Sequence, residues 1–175
     1  MNRGIVFILS GYLLWGLFPI YWAFLNHVNP SEVLLHRVVW AVPILFVIVY
    51  LKSSWYTNFK ESITSRKELL FLLFTATLIT INWGTYIVAV NLGRVVEGSM
   101  GYFLAPVISM IGGYIFFHER ISRLKQWSAL FASMGALYYV FSSDSFPWLG
   151  FVLGVSFALY GLARKAMVTS AVPGL

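Results

Sequence analysis

Six long stretches of this chain are almost free of charge: residues 4–25, 32–51, 69–91, 98–117, 126–142 and 148–163. A helix needs about 20 mostly apolar residues to cross ~30 Å of hydrocarbon, and runs of this kind approach or reach that length. They are too long and too evenly apolar for strands, and they lack the two-residue alternation of a membrane barrel. The expected architecture is therefore all-α: a polytopic membrane bundle of six transmembrane helices. Composition agrees where it bears on the point. Only 10% of the 175 residues are charged, against about 25% in a soluble domain, which leaves too little polar surface to cover a core. The absence of cysteine removes disulfide scaffolds, thiol catalysis and thiolate-held metals from consideration. The first run reads as a span, because it is longer than the apolar part of a signal peptide and has no small-residue cleavage site.

A net charge of +6 could point to nucleic acid. The positive residues instead sit in short clusters between the apolar runs, as cytoplasmic loops do, so no nucleic-acid partner is expected. With the N-terminus inside, Arg3, Lys52, Lys60, Arg66, Lys67, Arg120, Arg123, Lys125, Arg164 and Lys165 all lie on the cytoplasmic side, ten of the twelve basic residues. Arg94 falls in an outer loop and Arg37 within a span. The charge bias thus predicts a cytoplasmic N-terminus. The longest connection, 52–68, is polar and is read as lying partly along the membrane surface.

Four places could carry chemistry. The stretch between Arg37 and Lys52 is too short to cross a bilayer, so the second helix must take in some of Glu32, His36 and Arg37. Glu32, His36 and Trp40 are spaced i, i+4, i+8 and share one face, with Arg37 beside His36. Arg37 lies about five residues in, or ~7.5 Å at 1.5 Å per residue. Two compatible readings stand. Arg37 reaches the outer headgroups or pairs with Glu32, or these residues line a central cavity in which His36 can change charge near neutral pH.

In the third run, Asn82 and Tyr86 are one turn apart, at a depth where an unpartnered amide is unfavourable. Helix–helix hydrogen bonding suits Asn82, and cavity lining suits Tyr86. The fourth run opens Glu97-Gly98-Ser99-Met100-Gly101-Tyr102-Phe103, whose small residues permit close helix approach. Pro19, Pro43 and Pro106 suggest bent helices. The run ends at His118-Glu119-Arg120, either a solvated turn or a cytoplasmic gate in which Glu119 pairs with a basic side chain. No enzyme signature is convincing. Gly98-x-x-Gly101 brackets Ser99, but no later span supplies a histidine base. His27, His36 and His118 are dispersed, so no metal site is expected, and a phosphate-binding loop with its lysine is absent. The expectation is a non-enzyme without cofactor.

Tyr12-x-x-Trp15-Gly16-Leu17 in the first run is echoed by Phe157-x-x-Tyr160-Gly161-Leu162 in the sixth. Chance explains it adequately. As a repeat, five spans per copy would make the second copy inverted in the membrane, as in inverted-repeat transporters. On Tyr12-x-x-Trp15-Gly16, His36-Arg37-Val38-Val39-Trp40, Asn82-Trp83-x-x-Tyr86-Ile87-x-Ala89-Val90-Asn91, Glu97-x-Ser99-x-Gly101-Tyr102-Phe103 and Glu119-Arg120, the chain resembles the RarD-like branch of the EamA permeases, in the drug/metabolite transporter superfamily. Leu104-Ala105 departs from that branch, which has Asn before the proline.

The resemblance implies a secondary carrier of ten helices in two inverted repeats, in the bacterial cytoplasmic membrane. Residues 1–142 would be the first repeat and 143–175 the start of the second, so that the chain reads as a truncated fragment. The function expected is alternating-access transport of small metabolites or drug-like solutes, with Trp15, His36, Arg37, Trp40, Asn82, Tyr86, Ser99 and Tyr102 along the pathway. Glu32 or His36 would couple protons and Glu119 would gate the cytoplasmic end. The lipid bilayer and a small solute are the partners, and a homodimer is one way to complete the pathway. The rival expectation is a non-transporting truncated membrane protein or assembly partner, whose polar residues enclose no common space.

Overall fold

The computed structural model describes residues 3–170 and 174, with Arg3 given by its backbone alone, so the Arg3 charge counted above falls outside the described side chains. Among the described residues there are seven α-helices and no strand: α1 (Arg3–Phe24), α2 (Pro30–Leu51), α3 (Ser53–Thr64), α4 (Arg66–Asn91), α5 (Val95–Phe117), α6 (Arg123–Ser142) and α7 (Trp148–Ala166). Five of them, α1, α2, α4, α5 and α7, are long and apolar enough to cross a membrane. The fifth expected span also forms a single helix, α6. Gln126, Ser128, Ser133 and Ser142 make it less apolar than the other five. The chain is a polytopic helical membrane protein.

Local chemistry explains the boundaries. Three helices begin three residues before the apolar runs do, at Arg66, Val95 and Arg123. At Arg66 and Arg123 a capped first turn tolerates charge that a count of apolar residues discards. The Ser65 hydroxyl accepts from the Glu68 N–H at 3.4 Å and the Ser122 hydroxyl from the Lys125 N–H at 3.4 Å. At α2, Asn29 Oδ1 accepts from Ser31 N–H at 2.9 Å, and Pro30 occupies the first turn, where its missing N–H is no loss. Helix α4 ends in a Schellman turn: Gly93 takes φ +70°, its N–H donates to the Val90 carbonyl at 3.0 Å, and Arg94 N–H donates to Ala89 at 2.8 Å. At the end of α5 the left-handed residue is His118, φ 52°, a residue type that tolerates this region better than most.

The 52–68 connection folds into α3, a helix of 12 residues. Trp55, Phe59 and Ile63 recur at i, i+4 and i+8 along it, a stripe short enough to be missed between polar neighbours.

The core is α4, α5 and α7, centred on Tyr86, Val90 and Leu153 with Trp22, Val95 and Tyr102 against it. Helices α5 and α7 meet through glycine. A Cβ on Gly101 would sit 2.5 Å from the Gly150 carbonyl oxygen and 2.7 Å from Leu153 Cβ, and one on Gly154 would sit 2.8 Å from Leu104 Cβ. Gly150 and Gly154 are one turn apart, the small-xxx-small spacing that lets membrane helices touch backbone to backbone. Helix α6 lies on α5, α2 and α3 on α4, and α1 on α4.

Candidate functional site

Helix α2 turns Val33, Arg37 and Ala41 toward the bundle: Val33 is buried and the other two are half-buried. This i, i+4, i+8 face is one residue, about 100° of helical rotation, from the Glu32–His36–Trp40 face singled out in the sequence. Glu32 and His36 are exposed, and Trp40 is 65% exposed. Arg37 alone of that group therefore enters the interior. Its guanidinium carbon lies 3.8 Å from the ring centroid of Trp83 on α4 and 5.6 Å from that of Trp22 on α1. Such cation–π contacts contribute about 0.5–2 kcal/mol, more as water is excluded.

An aromatic cluster adjoins this site. Trp15 on α1 meets Tyr102 on α5 and Phe157 on α7, each edge-on at 6.0 Å between centroids. Tyr102 also meets Tyr86 at 5.9 Å and Phe157 at 6.1 Å, again edge-on. Edge-to-face contacts at 4.5–7 Å are the favourable geometry for aromatic quadrupoles. Trp15 is 40% exposed while Tyr86 is buried, so the cluster runs from the bundle surface into its core. Five helices contribute to the two groups together.

Asn82 sits behind this cluster with no exposed surface. Its Nδ2 donates to the Leu153 carbonyl at 2.9 Å and to the Ser156 hydroxyl at 3.0 Å, which ties α4 to α7. Its Oδ1 is buried without a partner among the described residues. The amide thus serves helix association on one side and keeps an acceptor unused on the other. Ser99 is half-buried on α5, one turn before Phe103.

The two ends of the bundle are fastened differently. At the end holding the α4–α5 turn, the Glu97 carboxylate, 3% exposed, accepts from the Leu149 N–H at 2.8 Å and pairs with Arg94 at 2.6 Å. A carboxylate there also complements the positive N-terminus of α7. At the opposite end Glu119 forms an ion pair with Lys165 in the last turn of α7, and the lysine also faces the Phe117 ring at 4.9 Å. Glu68 accepts from Thr169 Oγ1 at 2.7 Å and from Thr169 N–H at 3.3 Å, while Asn58 Oδ1 accepts from Ser170 N–H at 3.0 Å. The segment leaving α7 is thereby held on α3 and the start of α4. Among the described residues no three His, Cys, Asp or Glu side chains come together as a metal ion would require.

The structure therefore brings together Trp15, Arg37, Asn82, Tyr86 and Tyr102 of the expected pathway, and leaves Glu32, His36 and Trp40 outside it. Trp22, Trp83, Ser156 and Phe157 were not singled out as site residues. Trp22 follows Trp15 by seven residues, two turns along the same face, which was the available signal. Nothing local in the sequence identifies Trp83 as the ring that meets Arg37.

Residues 2–142 match the profile of the EamA-like transporter family. The chain is 32% identical to the uncharacterized transporter YojE of Bacillus subtilis over 94% of its own length and 56% of that protein. It is 32% identical to protein RarD of Escherichia coli over 99% of its length and 58% of that protein. It is 28% identical to the chloramphenicol-sensitive protein RarD of Pseudomonas aeruginosa over 99% of its length and 59% of that protein. The chain thus spans under three-fifths of the length of these relatives. No solved structure matches it.

Proposed function

Starting from the fact that the chain belongs to the EamA-like transporter family, we propose that it works as part of a secondary carrier that moves small metabolites or drug-like solutes by alternating access. The observation that carries this reading is the meeting of Trp15, Trp22, Arg37, Trp83, Tyr86, Tyr102 and Phe157 from five helices inside a bundle of membrane-spanning length. A cation set among aromatic rings in a span is unfavourable unless it serves a pathway or a partner, and such residues face bundle interiors in carriers. Residues 1–142 act as the first repeat, and α7 begins the second, with N-terminus and positive loops in the cytoplasm of a bacterial cell. The Glu119–Lys165 pair then lies at the cytoplasmic end, where parting α5 from α7 breaks it and joining them restores it. Glu32 and His36 occupy the neighbouring face of α2, and proton coupling through them requires that face to be covered when the carrier is assembled.

The test is flux. Inside-out vesicles containing the protein are loaded from a panel of small metabolites and drug-like solutes, beside vesicles with equal amounts of Arg37→Ala and Tyr102→Ala. The expected result is solute movement above that of empty vesicles, lowered at least tenfold by either substitution. Equal movement in wild type and both variants removes the cluster from the mechanism, and no movement above empty vesicles shows that this chain does not carry solute by itself.

A further inference from the structure

Arg37 is a cation within a membrane-spanning helix whose neighbours are rings and not anions. Among the described residues the ion pairs are Arg94–Glu97 and Lys165–Glu119, and Arg37 takes part in neither. Its contacts are the faces of Trp83 at 3.8 Å and Trp22 at 5.6 Å. Rings attract a cation but offer no in-plane acceptor, so the five N–H donors of the guanidinium find no protein oxygen among the described residues. Close by, the indole Nε1 of Trp22 is a buried donor without an acceptor among the described residues. Buried donors are normally satisfied, so the Trp22 N–H, beside a half-buried guanidinium with no anion against it, marks a place where a ligand completes the set.

The chemistry of the missing group follows from its would-be partners. It must accept several N–H bonds from a planar fork, as a carboxylate does, and carry a single negative charge to balance a single guanidinium. The rest of the molecule would lie against Trp15, Tyr102 and Phe157, which suit a flat apolar body. We propose that Arg37 and the Trp22 indole N–H form a recognition point for a carboxylate borne on a flat apolar solute. This rests on the carrier reading above and narrows its substrate class to organic monoanions.

The experiment uses the chain in phosphatidylcholine nanodiscs and two probes alike in shape, 2-naphthylacetate and 2-naphthylacetamide, titrated by calorimetry. The acid is expected to bind at least tenfold more tightly than the amide, a difference of about 1.4 kcal/mol. Arg37→Gln should erase that difference, and Trp22→Phe, which keeps a ring and removes the N–H, should reduce it about threefold. Equal affinities for acid and amide in the wild type overturn the proposal and leave the carrier reading standing. That is also the result if a lipid phosphate already occupies Arg37. A preference for the acid that survives Arg37→Gln overturns it as well. Binding of neither probe overturns the proposal and leaves the carrier reading to the flux test. The wild-type comparison decides even if a variant fails to fold.

Discussion

Replacing Gly101 by alanine adds one methyl group where two helix backbones touch. The added carbon would meet the Gly150 carbonyl oxygen at 2.5 Å, Leu153 Cβ at 2.7 Å and the Gly154 nitrogen at 3.1 Å. All three are backbone or Cβ atoms, which no rotamer change can move, so α5 and α7 must separate by roughly 1 Å to restore ordinary contact. Overfilling a close contact of this kind destabilises by about 1–3 kcal/mol. For a chain of this size each kcal/mol shifts the melting temperature by about 2–4 °C, so Gly101→Ala should melt roughly 2–12 °C lower.

Gly161→Ala is the control. Nothing lies within 4 Å of a Cβ at Gly161, so the gain in helix propensity, up to about 1 kcal/mol, is unopposed there and the variant should match or exceed the wild type. The assay is thermal unfolding in nanodiscs followed by intrinsic tryptophan fluorescence. Equal melting temperatures for Gly101→Ala and Gly161→Ala would refute the account of the α5–α7 contact.

Other outcomes are expected from the same geometry. Asn82→Leu should destabilise by about 1 kcal/mol, and a double-mutant cycle with Ser156→Ala should give a coupling near 0.6 kcal/mol, measured by the same melts; zero coupling would mean that the amide is not bonded to Ser156. Lys165→Ala and Glu119→Gln should each change stability by less than about 1 kcal/mol, because both partners are nearly half exposed, yet either should alter the balance between inward- and outward-open forms in a thiol-labelling assay. Cysteines introduced one at a time at Lys60 and Ser145 should differ in intact cells: an impermeant maleimide should label the second and not the first, and the reverse pattern would invert the proposed orientation.

The sequence made the helices legible because a bilayer admits little else, and it placed their apolar parts within a few residues. It did less well at two scales. Charged first turns at Arg66 and Arg123 belong to their helices yet look like loop, and α3 hides a stripe of three apolar residues among polar ones. At the site, periodicity identified a polar face on α2 but could not say which way it points. His36 and Arg37 differ by one residue, and helical rotation sends only Arg37 inward. Pairings across long separations were also out of reach. The bonds of Asn82 to Leu153 and Ser156, the ring of Trp83 below Arg37, and the choice of Lys165 for Glu119 all depend on how α4, α5 and α7 cross. The departure at Ala105 fits its position, since that residue is buried within α5.

The central claim is that the Arg37–Tyr102 region is reached by water and solute during transport. The chain has no cysteine, so a single introduced one reports without background. Tyr102→Cys and Trp83→Cys, in membranes, would be exposed to a charged, water-soluble methanethiosulfonate, with Phe7→Cys on the outward face of α1 as the lipid-facing control. Labelling at positions 102 and 83, with position 7 silent, is the predicted result. Silence at all three positions would contradict the account and leave a closed, dry bundle.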